Sequence, residues 1–239
     1  MKRLSLFPII VALVISSSGC STLKQLGLVP SELEMAMGLK DALSQGLFRG
    51  FNAFADPNGN PLVRFIFPGE AEKIEKTLRD LGFDKTINQV TGKFTKAMSS
   101  AVAVSKPLFT NALKKMSVKD AAKILITDNP HAATDYFKQE MKPGLMVAFR
   151  PVVDSTIKTE GADKEWGNIT RVYNSIPFIN KPLETSLTDF ISARVVDLLF
   201  LMVADEEEQI RSKYELRKTD LMKKVFTYAE EEWKKRNSR

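Results

Sequence analysis

The stretch Val195-Val196-Asp197-Leu198-Leu199-Phe200-Leu201-Met202-Val203-Ala204 constrains the fold more than any other part of the chain. It sits inside a helical pattern that opens near Ser186, with Asp189 three residues on, and ends near Lys213. Apart from Asp197 it is apolar on every side, and a helix apolar all round is normally a buried one. The rest of the chain therefore has to wrap it. A lone carboxylate in such surroundings is costly unless it is paired and hydrogen-bonded. Asp197 is accordingly expected to be largely buried as a structural ion pair, with Arg194 one turn before it or Arg150 from Phe149-Arg150-Pro151 as its cation.

The start of the chain has a different grammar. Lys2 and Arg3 precede an apolar run from Leu4 to Ile15, then Ser16-Ser17-Ser18-Gly19 leads to Cys20, the single cysteine. About twelve apolar residues fall short of the roughly 20 needed to span a bilayer as a helix, so residues 1–19 read as a cleaved export signal. Ser17-Ser18-Gly19-Cys20 resembles the bacterial lipobox, with Ser17 where the pattern prefers leucine. The resemblance implies lipid attachment at Cys20, through a diacylglycerol on the thiol and an acyl group such as palmitate on the new amino terminus. Asp after the cysteine resembles an inner-membrane retention signal; here that residue is Ser21, which points to the outer membrane, facing the periplasm. Residues 20–30 then form the lipidated Cys and a tether, of which 21–30 reach at most about 35 Å.

Removing Lys2 and Arg3 lowers the formal charge of +6 by two. Export, interspersed signs and the lack of a basic stripe with interleaved aromatics argue against nucleic acid as a partner. With its only thiol committed to lipid, the domain has no disulfide and must be held by core burial. Its 44% hydrophobic and 27% charged content suffices for one domain, 31–239.

That domain reads as all-α, an irregular multi-helix bundle around the buried helix at 186–213. Ser31 and Glu34 make a capping box, and Leu39, Leu43, Leu47 and Phe51 give a helix over 32–54. Beside them runs Gly38, Ala42, Gly46 and Gly50, also at four-residue steps. Glycine inside a helix costs about 1 kcal/mol relative to alanine, so this stripe implies close packing against another helix, a dimer contact or a ligand slot. Residues 62–67, between Pro61 and Pro68, read as an extended segment lying across helices. Helices are expected at 69–81, ended by Gly82; at 85–115, bent before Pro107; and at 118–126, capped by Ser117. Asn129-Pro130 should cap the next, with a break or kink at Pro143-Gly144 before a further run over 145–158. A looser helix at 163–175 and a last one from Thr219 or Asp220 to Trp233 complete the set.

Several segments in order, Gly38-Leu39-Lys40-Asp41-Ala42-Leu43, Lys106-Pro107-Leu108-Phe109, Ala132-Ala133-Thr134-Asp135-Tyr136-Phe137, and Asp197-Leu198-Leu199-Phe200 through Glu206-Glu207-Glu208-Gln209-Ile210-Arg211, resemble a bacterial family known only as domain of unknown function 4197. The likeness spans roughly 35–227. It implies an exported, often lipidated helical protein and carries over no activity or catalytic residue. At Asp128-Asn129-Pro130-His131 the chain departs from the glycine-rich turn of relatives.

Chemistry-bearing patterns are sparse. One His and no spare Cys cannot build a usual transition-metal site, and no EF-hand, phosphate-binding or dinucleotide fingerprint occurs, so no cofactor is expected. Asp205 to Glu208 read as a solvated helix face, and His131 as a surface histidine in a first helical turn. Asp197 and Glu206 could suggest the acid/base pair of a glycosidase, but nine residues at 100° each put them on opposite sides of one helix and about 13.5 Å apart. The leading expectation is a non-enzymatic envelope protein that engages another envelope protein. The 15 Phe and 9 Met make a binder of apolar ligands the alternative, and an envelope-polymer hydrolase a lesser one.

Overall fold

The computed structural model describes residues 29–57, 63–65, 67, 70–175 and 187–238; Cys20 and its tether lie outside them. Among the described residues nine α-helices and one 3-10 turn pack into an all-α bundle with no strand. They are α1 (Glu32–Ala55), α2 (Glu70–Asp80), α3 (Asp84–Ala103), α4 (Lys106–Lys115), α5 (Val118–Leu125), α6 (Ala132–Thr159), α7 (Ala162–Asn174), α8 (Leu187–Ser212) and α9 (Asp220–Asn237), with the 3-10 turn Tyr214–Leu216 between the last two.

The ends follow the sequence signals closely. Ser31 and Glu34 form the reciprocal capping box of α1, and Glu34 also receives the Lys224 ammonium from α9 at 2.6 Å. At the end of α2, Gly82 takes φ 87°, which a side chain would resist; its N–H reaches Arg79 and that of Phe83 reaches Leu78, closing a Schellman motif. Ser117 and Thr219 cap α5 and α9. The expected bend before Pro107 is a division into two helices, with Ser105 buried at the joint and its hydroxyl donating to Val102 O at 2.7 Å.

Two expectations are corrected. The helix after Asn129-Pro130 begins two residues later, because Asn129 Oδ1 accepts the His131 N–H and holds a turn there. Nor does Pro143-Gly144 break it: α6 runs continuously from Ala132 to Thr159 with Pro143 and Pro151 inside. Its buried stripe, Phe137, Met141, Leu145, Phe149, Val153 and Ile157, is unbroken and packs on α3 and α8. The prolines deprive the carbonyls of Gln139 and Val147 of their helical partners, but both residues are exposed, where water can replace the lost bond.

The described part of the extended segment lies across α3. Val63, Phe65 and Phe67 are buried, the Phe65 N–H donates to Thr95 Oγ1 at 2.9 Å, and Phe67 stacks on Trp166 of α7.

Helix α8 packs on α1, α3 and α6 and carries much of the core. Its enclosure is incomplete, since Leu201 is 62% exposed on a stripe that also holds Asp197. The glycine stripe of α1 explains how α8 is approached so closely. A β-carbon on Gly46 would meet Glu206 Cβ at 3.4 Å and Val203 Cα at 3.6 Å; on Gly50 it would meet Leu199 at 3.0 Å; on Gly38 it would overlap a methyl of Val225 in α9. The stripe is therefore a crossing within the chain, with Ala42 buried in the same line. Replacing Gly46 by Leu should destabilise the domain by about 1 to 3 kcal/mol through overpacking. Urea unfolding measures this directly, and a variant as stable as the wild type would show that the crossing can open without cost.

Candidate functional site

The last two turns of α8 carry the sequence Asp205-Glu206-Glu207-Glu208-Gln209-Ile210-Arg211, and the structure separates these charges sharply. Asp205 and Glu208 are exposed as expected, but Glu206, Glu207 and Arg211 are buried, as is Arg217 just beyond the helix, at 1% exposure. The reading of this run as a solvated face is thus half wrong. The helix turns two of its three glutamates toward α1 and the start of α6.

Glu207 faces the first turn of α6. Its Oε1 accepts the Ala133 N–H at 3.0 Å, and its Oε2 accepts the Thr134 N–H at 2.8 Å and the Thr134 hydroxyl at 2.7 Å. These are N–H groups that a helix leaves without internal partners, and His131 at the N-cap position supplies no side-chain bond to them. A carboxylate here also opposes the positive end of the helix dipole. Arg211, one turn along α8, completes the pair: Nε lies 2.9 Å from Glu207 Oε1, and the other guanidinium nitrogens donate to Leu125 O and Ile124 O at the end of α5. The guanidinium lies 5.4 Å from the Trp233 ring and 5.8 Å from that of Phe226.

Arg217 extends the same node to the end of α8. It donates to Ile210 O and Arg211 O, both at 2.9 Å, and to Thr227 Oγ1 at 3.0 Å, and pairs with Glu230 of α9 at 3.3 Å. Trp233 Nε1 and Arg236 both donate to Ile126 O. On the opposite flank Glu206 accepts from Gln45 at 2.7 Å and from Arg49. Burial would raise the Glu206 pKa, but those two hydrogen bonds and the Arg49 charge outweigh it and hold it below the ordinary value of 4.5.

The other singled-out residues lie elsewhere. Asp197 is 47% exposed and is paired with Lys138 at 3.2 Å, with Lys142 at 4.0 Å, and with neither proposed arginine. Arg150 instead donates to Asp189 at 2.6 Å, and both are half-exposed. The expectation of a buried Asp197 pair fails because α8 leaves one stripe open to solvent. His131 Nε2 is 3.5 Å from Glu208, and the ring lines a hollow of about 350 Å³ with Thr134, Arg194 and Asp197. No group of three metal-ligating side chains occurs among the described residues, and none of their helices is long and apolar enough to cross a membrane.

A second concavity, a groove of about 440 Å³, runs between α4 and α6. Its floor includes Leu108, Met116, Phe137, Met141 and Leu145, and its rim carries Asn111, Lys115, Tyr136 and Glu140.

Fold and site together define an all-α bundle whose buried charges tie helix ends to one another. The chain belongs to the family described as protein of unknown function DUF4197, which matches residues 29–227. Comparison with curated proteins and with solved structures gave no match.

Two measurements set the buried charges against an exposed one. Removing one member of a buried pair generally costs about 3 to 5 kcal/mol, so Glu207→Leu and Arg211→Met should each lower stability steeply, and the double change should cost clearly less than their sum. Additive losses in urea unfolding would exclude the coupling. Asp197→Ala, at an exposed pair, should cost at most about 1 kcal/mol.

Acid sensitivity follows from α1. The Lys224 hydrogen bond and the capping box hold Glu34 at about 2 instead of 4.5. A carboxylate depressed by folding stabilises the fold above its unfolded value, and that contribution fades as pH falls through the folded one. The urea midpoint should therefore decline between pH 4.5 and about 2, and Glu34→Gln should flatten that decline. An equally steep acid limb in the variant would contradict the assignment.

Proposed function

We propose that this protein is a non-enzymatic component of the bacterial envelope, lipidated at Cys20, held to the outer membrane facing the periplasm, and engaging another envelope protein through its helical domain. One observation carries the reading. The buried ionisable side chains best placed for chemistry are committed to main-chain and structural partners: Glu207 accepts three hydrogen bonds from α6 as well as Arg211, and Arg211 and Arg217 are bound to carbonyls at helix ends. A carboxylate so occupied acts as a clamp between helices. Such a domain serves to hold a surface in place, and the tether beyond Cys20 keeps that surface close to the membrane.

The apolar-ligand reading is supported by a separate observation, the groove between α4 and α6, whose floor brings together Met116, Phe137 and Met141.

Expressing the full chain in a diderm bacterium with a labelled fatty acid, then crosslinking in the intact envelope, tests the main proposal. The wild type should carry the label, fractionate with the outer membrane and crosslink reproducibly to one envelope protein, whereas Cys20→Ala should carry none. A labelled Cys20→Ala variant or an unlabelled wild type would defeat the anchor, and a wild type with no specific crosslinked partner would defeat the interaction role.

A further inference from the structure

The groove between α4 and α6 holds chemistry that the fold leaves unused. Asn111 and Lys115 on α4 and Tyr136 and Glu140 on α6 stand on its rim, and Lys115 and Glu140 form no ion pair within 4.0 Å. Nor does any of the four side chains make a hydrogen bond to another described residue. Beneath them Met116, Phe137, Met141 and Leu145 line the groove and are buried. Ligand sites typically combine an apolar floor with a few convergent polar groups in roughly 300 to 1,000 Å³, and this groove offers about 440 Å³.

Gly144 borders the same groove. It lies in α6 on the groove wall, and a β-carbon added there would meet nothing within 4 Å. Unlike Gly38, Gly46 and Gly50 it is not required by a neighbouring helix. The space beside it is open, as it is beside Gly92 and Gly167. Tyr136 supports the same view of the rim: burial, with the charges of Glu140 and Asp120, raises its pKa above 10.0 and keeps the phenol a proton donor.

We propose that this groove binds a single-chain amphiphile with a zwitterionic head, its chain on the Leu108, Met116, Phe137, Met141 and Leu145 floor, its amine on Glu140 and its anionic group on Lys115. Asn111 and Tyr136 donate to the anionic group as well. Charge complementarity selects the head, since a purely anionic head would leave Glu140 unpaired beside it and a purely cationic one would leave Lys115 so. A single-chain phospholipid with an ethanolamine head has this chemistry. The assignment rests on the apolar-ligand reading and is independent of any protein partner.

A photoactivatable lysophosphatidylethanolamine, added to the full-length protein in an uncharged maltoside detergent, provides the test. Crosslinks should concentrate in peptides covering 106–116 and 136–145. Unlabelled lysophosphatidylethanolamine should displace the probe about tenfold better than lysophosphatidylglycerol, which has no amine, and Glu140→Gln should erase that preference. Gly144→Trp sets a bulky ring on the groove wall from a position whose β-carbon meets nothing within 4 Å; it should keep the wild-type melting temperature and lose about tenfold of the labelling. Labelling spread evenly over the surface, or undiminished in a folded Gly144→Trp variant, would overturn the site and the apolar-ligand reading with it. Groove labelling displaced equally by both lipids would overturn the zwitterionic head alone. Crosslinking that placed a peptide of another protein in the groove would overturn the amphiphile.

Discussion

The carboxylate of Glu207 does across the bundle what an N-cap side chain does locally. A helix start leaves its first N–H groups without internal acceptors, and α6, the longest helix among the described residues, begins at a turn whose His131 caps nothing. Glu207 reaches in from α8 to accept from Ala133, Thr134 and the Thr134 hydroxyl. In dry surroundings such a carboxylate persists only with a cation and saturated hydrogen bonding, and Arg211 provides the cation while binding the end of α5. One ion pair therefore fixes where α5 stops, where α6 starts and how α8 lies between them.

The remaining architecture follows from that placement. With α8 held at its C-terminal end, α1 crosses it on a face of glycine and alanine, and the closeness of Gly46 to Val203 and Glu206 brings Gln45 and Arg49 onto the Glu206 carboxylate. Arg217 then turns the chain after α8 by holding the Ile210 and Arg211 carbonyls, which sets α9 against α1 with Val225 at Gly38 and Lys224 at Glu34. Polar contacts specify the joints and apolar burial supplies the bulk of the stabilisation, with no cysteine among the described residues.

Much of this could be read in the sequence because the signals were local. Ser31 with Glu34, Gly82, Ser117 and Thr219 mark helix ends through bonds to residues a few positions away, and the four-residue step of Gly38, Ala42, Gly46 and Gly50 needs only helical geometry to become a packing face. Apart from the helix start after Asn129-Pro130, the misreadings concern which side of a helix meets which neighbour. Pro143 and Pro151 resemble breakers until a continuous buried stripe holds α6 together. Asp197 looks enclosed in an apolar run, yet a few positions of that run face water, and Asp197 shares their stripe with Leu201. Glu207 reads as part of the solvated face from Asp205 to Glu208, and only the uncapped start of a helix more than seventy positions away in the chain makes it central. The rim of the α4 and α6 groove was hidden for the same reason, since nothing local links Lys115 to Glu140.

Hydrogen exchange at the Ala133 and Thr134 amides tests the clamp most directly. N–H groups in a first helical turn ordinarily exchange by local fraying, at a small fraction of the global stability. If Glu207 holds them as described, both amides should exchange only through global unfolding, with the same apparent free energy as core amides of α6 such as that of Phe149. Rapid exchange at Ala133 and Thr134 in an otherwise protected α6 would contradict the claim that this buried pair organises the fold.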